Sequence, residues 1–259
     1  MPQCILRQFC IEGETLSYFS KRTAYKGVHD RNIKTVFKRR HQNSVLDDNG
    51  EYDDAIETFF SNNFDGPFGE FLTFTAPQIT RRTNFSLDTE LRRFLIQFFY
   101  NLTKRTPEFF SDEAIKKIFD EIIDDLDGQI PETRPDLLKD LENLKTDTRK
   151  RKELFHNARA LTFRRQSGNV LGALWNLNVV FAIPNDSKKS FVVGSNPVVR
   201  MTNDGDSSIL TGDVELWTPI RPDLALGLTV SGAEGTVMRL ATDQVRHVNR
   251  AVLRNSQAI

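Results

Sequence analysis

The chain has 259 residues, enough for one large domain or two intimate ones. Its hydrophobic share of 39% and charged share of 27% are those of an ordinary globular protein. Lys plus Arg equals Asp plus Glu at 35 each, which excludes a global pull toward nucleic acid or anionic lipid but leaves local patches open.

Residues 4–28 read as a β hairpin. Leu16, Tyr18 and Phe19 precede a Lys21-Arg22-Thr23 turn, and Tyr25 and Val28 follow it. Cys4 and Cys10 lie on one face of that expected extended segment. A bridge over so short a span needs a bend, so two reduced thiols are expected. Residues 29–50 are polar, with the basic run Lys38-Arg39-Arg40-His41 and the turn Asp47-Asp48-Asn49-Gly50.

A helical pattern begins at Tyr52. Ala55, Ile56, Phe59 and Phe60 form its apolar face, and Asp53, Asp54 and Glu57 suit the positive end of the helix dipole. Asp65-Gly66-Pro67 is expected to interrupt it. The clearest helix spans 87–104, capped by Ser86, with Leu91, Phe94, Leu95, Phe98 and Leu102 at helical spacing. Thr106-Pro107 ends it. Further helices are expected at 112–127, at 135–145 and over 147–175, the last with a break near Gly168.

The period then changes. Short strands are expected at 177–183, 190–194, 198–201, 214–219, 224–230 and 236–240, and a closing helix at 242–254. The order is an N-terminal β hairpin (4–28), a central helical bundle (52–175), a mostly antiparallel β block (177–240) and the closing helix. This segregation predicts an α+β fold in a single domain over 1–259.

The stretch Ser190-Phe191-Val192-Val193-Gly194-Ser195-Asn196-Pro197-Val198-Val199 reads as a buried strand that turns sharply and presents Ser195 and Asn196. A nucleophile elbow needs Gly-x-Ser-x-Gly and a following helix, and Pro197 with two valines follows here instead. A turn in which Ser195 and Asn196 bond the backbone is the better reading. The histidines at 29, 41, 156 and 247 have no paired spacing, so no metal site and no cofactor are expected. No Rossmann or Walker pattern occurs. The runs at 38–40 and 149–152, with Arg81-Arg82 and Arg164-Arg165, could contact phosphates, but the acids at 120, 121, 124, 125 and 127 argue for solvated faces. Arg105 either bonds helix-end carbonyls or anchors an anion.

Several motifs, in order, resemble one family. Pro2-Gln3-Cys4-Ile5-Leu6-Arg7-Gln8-Phe9 resembles the start of the bacterial domain-of-unknown-function family 4238, written His-Tyr-x-Pro-Gln-x-x-Leu-Arg-x-Phe. Leu16 to Lys21 fits its next strand and Arg105-Thr106-Pro107 its Arg-Thr-Pro motif. Ser195-Asn196-Pro197-Val198 resembles its Ser-Asp-Asn-Pro-Val corner, Trp217-Thr218-Pro219-Ile220 its Pro-Leu-Ser-Pro strand, and Val248-Asn249 its closing helix. The similarity covers nearly the whole chain. It implies an α+β bacterial or phage-associated protein. The family's leading His-Tyr is absent and Ser195 replaces the corner aspartate, which suggests an upstream start or a degenerate member. Gln3, Arg7, Arg105, Ser195 and Asn196 are carried over as a shared polar site.

The expectation is a cytoplasmic accessory protein. It would bind an unknown ligand or macromolecule between the N-terminal segment and the 190–199 corner, with turnover left open. The alternative is a hydrolase acting on nucleic acid or a phosphoester. Nucleic acid is not the favoured partner. No membrane partner or signal peptide is expected, since no run approaches about 18 apolar residues and the start lacks a basic region before an apolar core.

Overall fold

The computed structural model describes residues 1–37, 44–46, 49, 51–105, 116, 120, 121, 123–126, 129, 133–162, 166–201 and 215–259. The run 38–41, Thr106-Pro107, Arg164-Arg165, most of the 47–50 turn and much of the 112–127 helix lie outside them. The chain is α+β and divides into two compact units. Unit 1 comprises Met1–Lys38, Phe60–Thr106 and Gln166–Ile259, and unit 2 comprises Arg39–Phe59 and Pro107–Arg165.

Unit 1 begins with a helix, α1 (Gln3–Gln8), where β structure was expected. Its interior is Cys4 to Arg7, with Ile5 and Leu6 buried side by side. Packing on one side of a short helix outweighs the strand reading of this apolar pair. The hairpin proper is β1 (Thr15–Tyr18) against β2 (His29–Asn32), joined through a 3-10 helix at Lys21–Lys26.

The next helical run starts in unit 2 as α2 (Ala55–Phe60), and the unit boundary falls between Phe59 and Phe60. Tyr52 and Asp53 are not helical; they form a short strand described below. The expected break at Asp65-Gly66-Pro67 does not occur. A wide π segment, Ser61–Asp65, leads into α3 (Gly66–Glu70), and a second, Phe71–Thr75, leads into α4 (Ala76–Ile79). Pro67 and Pro77 each enter the first turn after a π segment, where a missing N–H costs least.

The long helix is α5 (Thr89–Lys104). Its cap is Asp88 rather than Ser86: the Asp88 Oδ1 accepts the Leu91 N–H at 2.7 Å. Leu95, Ile96, Phe98, Phe99 and Leu102 are buried, and the Phe98 ring stacks on Phe68 at 3.6 Å between centroids.

After α8 (Gly168–Trp175, numbered after the helices of unit 2 below) comes a five-stranded sheet of order β6-β7-β8-β5-β9. Its strands are β5 (Asn178–Pro184), β6 (Val199–Met201), β7 (Glu215–Arg221), β8 (Leu224–Thr229) and β9 (Val237–Leu240). All pairings are antiparallel except β5 with β9. The interior of β5 and the whole of β8 are buried, which explains their unbroken apolar runs. Gly227 faces Trp217 across the β7–β8 pair, and a Cβ there would run into the indole. The closing helix α9 (Thr242–Asn255) lays Val245, Val248 and Val252 on the sheet, against Val180, Phe191, Val199 and Trp217.

The expected strand 190–194 is not a strand. Its backbone is satisfied otherwise: Asn249 of α9 accepts the Val192 N–H at 3.0 Å and donates to the Ser190 carbonyl at 2.9 Å, and the Phe191 N–H reaches the Pro222 carbonyl. The apolar run buries Phe191 and Val193 without joining a ladder.

Unit 2 pairs β3 (Val45–Leu46) with β4 (Tyr52–Asp53) and packs α6 (Pro135–Thr146) on α7 (Thr148–Thr162). The Asn157 side chain continues the β3 ladder, bonding both the N–H and the carbonyl of Leu46 at 2.7 Å. The buried Ser44 hydroxyl donates to Asp54, and Arg151 pairs with Asp120.

Candidate functional site

The residues carried over as a polar site fall into three settings within unit 1. Gln3 and Arg7 are exposed on α1, one helical turn apart, so they share a face. Arg105 ends α5. Its Nη1 lies 2.7 Å from the Asp65 Oδ1, its side chain is only 11% exposed, and its guanidinium sits 4.9 Å from the centre of the Phe60 ring. The arginine therefore grips a carboxylate of its own chain, held from below by an aromatic face.

Cys4 lies within this neighbourhood. Its Cβ is 3.5 Å from the place a Cβ would take on Gly69, where α1 packs on α3. Burial foremost, with the Asp65 charge adding to it, pushes the thiol from its usual 9.0 up to about 12, although the nearby Arg105 pulls the other way. At neutral pH Cys4 is an unreactive thiol. Neither cysteine is in a disulfide.

Ser195 and Asn196 are bound to the C-terminal tail. The Ser195 N–H donates to the Ala258 carbonyl at 2.8 Å, and the Ser195 Oγ accepts the N–H groups of Gln257 and Ala258. The Asn196 N–H donates to the Ser256 Oγ at 3.2 Å. The same tail pairs with the hairpin: Phe19 and Ile259 exchange two backbone bonds at 2.8 Å, and the Lys21 N–H reaches the Gln257 carbonyl. One tail thus holds both the end of β1 and the corner. A local turn closed by the Ser195 and Asn196 side chains was expected; instead the Ser195 Oγ and the Asn196 N–H bond partners about 60 residues away in sequence.

α1 itself packs on β7, the strand paired with the β6 into which the corner leads. Among the described residues no group of three or more His, Cys, Asp or Glu is placed to hold a metal ion. No helix among them is long and apolar enough to cross a membrane.

Charge is divided between the units. Unit 1 carries 21 Lys and Arg against 15 Asp and Glu, a net +6; unit 2 carries 14 against 20, a net −6. The neutral total conceals this. Part of the surplus lies on the outer side of α9, where Arg246, Arg250 and Arg254 recur every fourth residue. That period-four repeat was the available signal. Asp65 as the partner of Arg105 had none.

A family model described as Protein of unknown function (DUF4238) matches residues 1–259. No curated protein matches the chain. No solved structure matches it either. The chain belongs to the DUF4238 family.

Proposed function

We propose that this member of the DUF4238 family is an accessory protein that binds an anionic ligand or macromolecule through unit 1. The observation that carries the reading is the surplus of six cations in the unit that holds Gln3, Arg7, Ser195 and Asn196, in a chain of zero net charge. Such a surplus raises the local concentration of anions and steers them to the surface. In this reading Gln3 and Arg7 meet the ligand, Ser195 and Asn196 hold the corner to the tail, and Arg105 keeps the end of α5 on Asp65.

The rival reading is a hydrolase of nucleic acid or a phosphoester, acting through a side-chain nucleophile or an activated water. Ser195 is the side-chain candidate, and its Oγ accepts two backbone N–H groups from the tail. A cytoplasmic setting suits two unbridged cysteines. A bacterial or phage-associated origin is what the family resemblance implies.

Calorimetry of the intact chain against a panel of nucleotides and dicarboxylates tests the proposal. Binding of at least one anion is expected, weakened about tenfold in Arg7→Gln, the loss of one charge-assisted contact. Absence of binding to every anion would overturn it. Product release by the parent protein that Ser195→Ala abolishes would favour the hydrolase.

A further inference from the structure

Six cations of unit 1 are gathered on two joined elements. The 3-10 helix supplies Lys21, Arg22 and Lys26, and α9 supplies Arg246, Arg250 and Arg254; all six are exposed. The elements are tied together, because the Lys21 Nζ donates to the Arg254 carbonyl at 3.2 Å. Within both elements the only acid is Asp243, which makes an exposed pair with Arg246. Among the described residues Arg22, Lys26, Arg250 and Arg254 have no ion-pair partner. A run of unneutralised cations on a fixed scaffold is the footprint of a polyanion rather than of a single small anion.

Two features select the polyanion. The first is spacing. At about 1.5 Å per helical residue, the three arginines of α9 recur every ~6 Å along one stripe, a pitch that suits a phosphate backbone. The second is Tyr25, which is 83% exposed beside these cations, with the Lys26 Nζ 5.8 Å from its ring centre. An exposed ring beside a cation is a platform for an unpaired base. An anionic membrane would instead call for an apolar helix face to insert, and the valines of α9 are turned into the core.

We infer that the face formed by residues 21–26 and α9 binds single-stranded nucleic acid, with Arg22, Lys26, Arg250 and Arg254 on phosphates and Tyr25 stacked on a base. The inference shares with the anion-binding reading above the net positive charge of unit 1, and it places a ligand surface on elements other than the α1 that carries Gln3 and Arg7.

The test is fluorescence anisotropy of the full chain with labelled oligothymidylate and oligouridylate of about 20 nucleotides, longer than one such face covers. Binding is expected to weaken with salt at a logarithmic slope of about −3, as four phosphate contacts at ~0.7 each imply. The double variant Arg250→Glu with Arg254→Glu should lose at least about tenfold in affinity and steepness of slope with it. Tyr25→Ala should lose several-fold and keep the slope, since it removes stacking and no charge. All three positions are exposed, and an unchanged melting curve establishes that the variants fold. Binding to phosphatidylserine vesicles without binding to either oligonucleotide overturns the inference, and so does a double variant that binds like the parent. If small anions bind and oligonucleotides do not, this inference falls and the anion-binding reading stands; if neither binds, both fall.

Discussion

Gly194 and Ser256 meet so closely that a Cβ on Gly194 would overlap the Ser256 Oγ, and would stand 2.8 Å from the Ser256 Cβ and 2.9 Å from the Val252 Cγ1. The corner can lie on the closing helix and its tail only because position 194 has no side chain. Gly194→Ala is expected to cost about 1–3 kcal/mol by overpacking and to lower the melting temperature by several degrees. A thermal melt checks it; an alanine variant that melts with the parent would mean that the tail is not seated on the corner.

Phe98 stacks on Phe68 in the centre of unit 1 and is 1% exposed. Phe98→Ala removes a large ring from a filled space and should cost about 3–5 kcal/mol. Leu95→Ala, one turn earlier and fully buried, should cost a similar amount, about 2–5 kcal/mol. Urea titration of the variants decides, and a midpoint equal to the parent's would contradict the burial of α5.

Arg105→Lys keeps the charge beside Asp65 but loses the planar fork and its seat on Phe60. Because the pair is largely shielded from water, a loss of about 1–3 kcal/mol is expected, with anion binding by the parent site unchanged. Calorimetry and a melt on the same sample separate the two outcomes. Lost anion binding at unchanged stability would make Arg105 a ligand residue.

Cys4 should resist alkylation by iodoacetamide at pH 8, since its thiol is pushed up to about 12 by burial and the Asp65 charge. Cys10 is also raised, by burial and then by the Glu14 charge, but it is more accessible and should react first. The raised value has a sign for stability. Above pH 9.0 the unfolded thiol ionises while the folded one stays protonated, so stability present below that pH is lost between 9.0 and about 12. Cys4→Ala should flatten this part of the pH–stability curve, and peptide mapping after alkylation reads the reactivity directly. Equal labelling of Cys4 and Cys10 would be inconsistent with the packing of α1 on α3.

Much of the architecture was legible in the chain because local pattern and burial agree there. The valines of α9 and the apolar stripe of α5 recur at helical spacing, and both helices bury one face. The strands at 178–184 and 224–229 read as apolar runs because both faces of the sheet are covered there. The family motifs, spread over the whole length, likewise sit in sequence order and survive reading without a structure.

The tertiary structure alone decided the rest, where one segment's geometry depends on a distant one. Residues 3–8 could have been strand or helix until Ile5 and Leu6 had a surface to pack against. Residues 190–194 carry a strand's composition, but Asn249 and Pro222 take their backbone bonds, so no ladder forms. Composition could say only that the net charge is zero. The fold leaves a net surplus of cations in unit 1 and of acids in unit 2, because neutrality is a sum over the chain whereas the field at a surface depends on which residues are brought together.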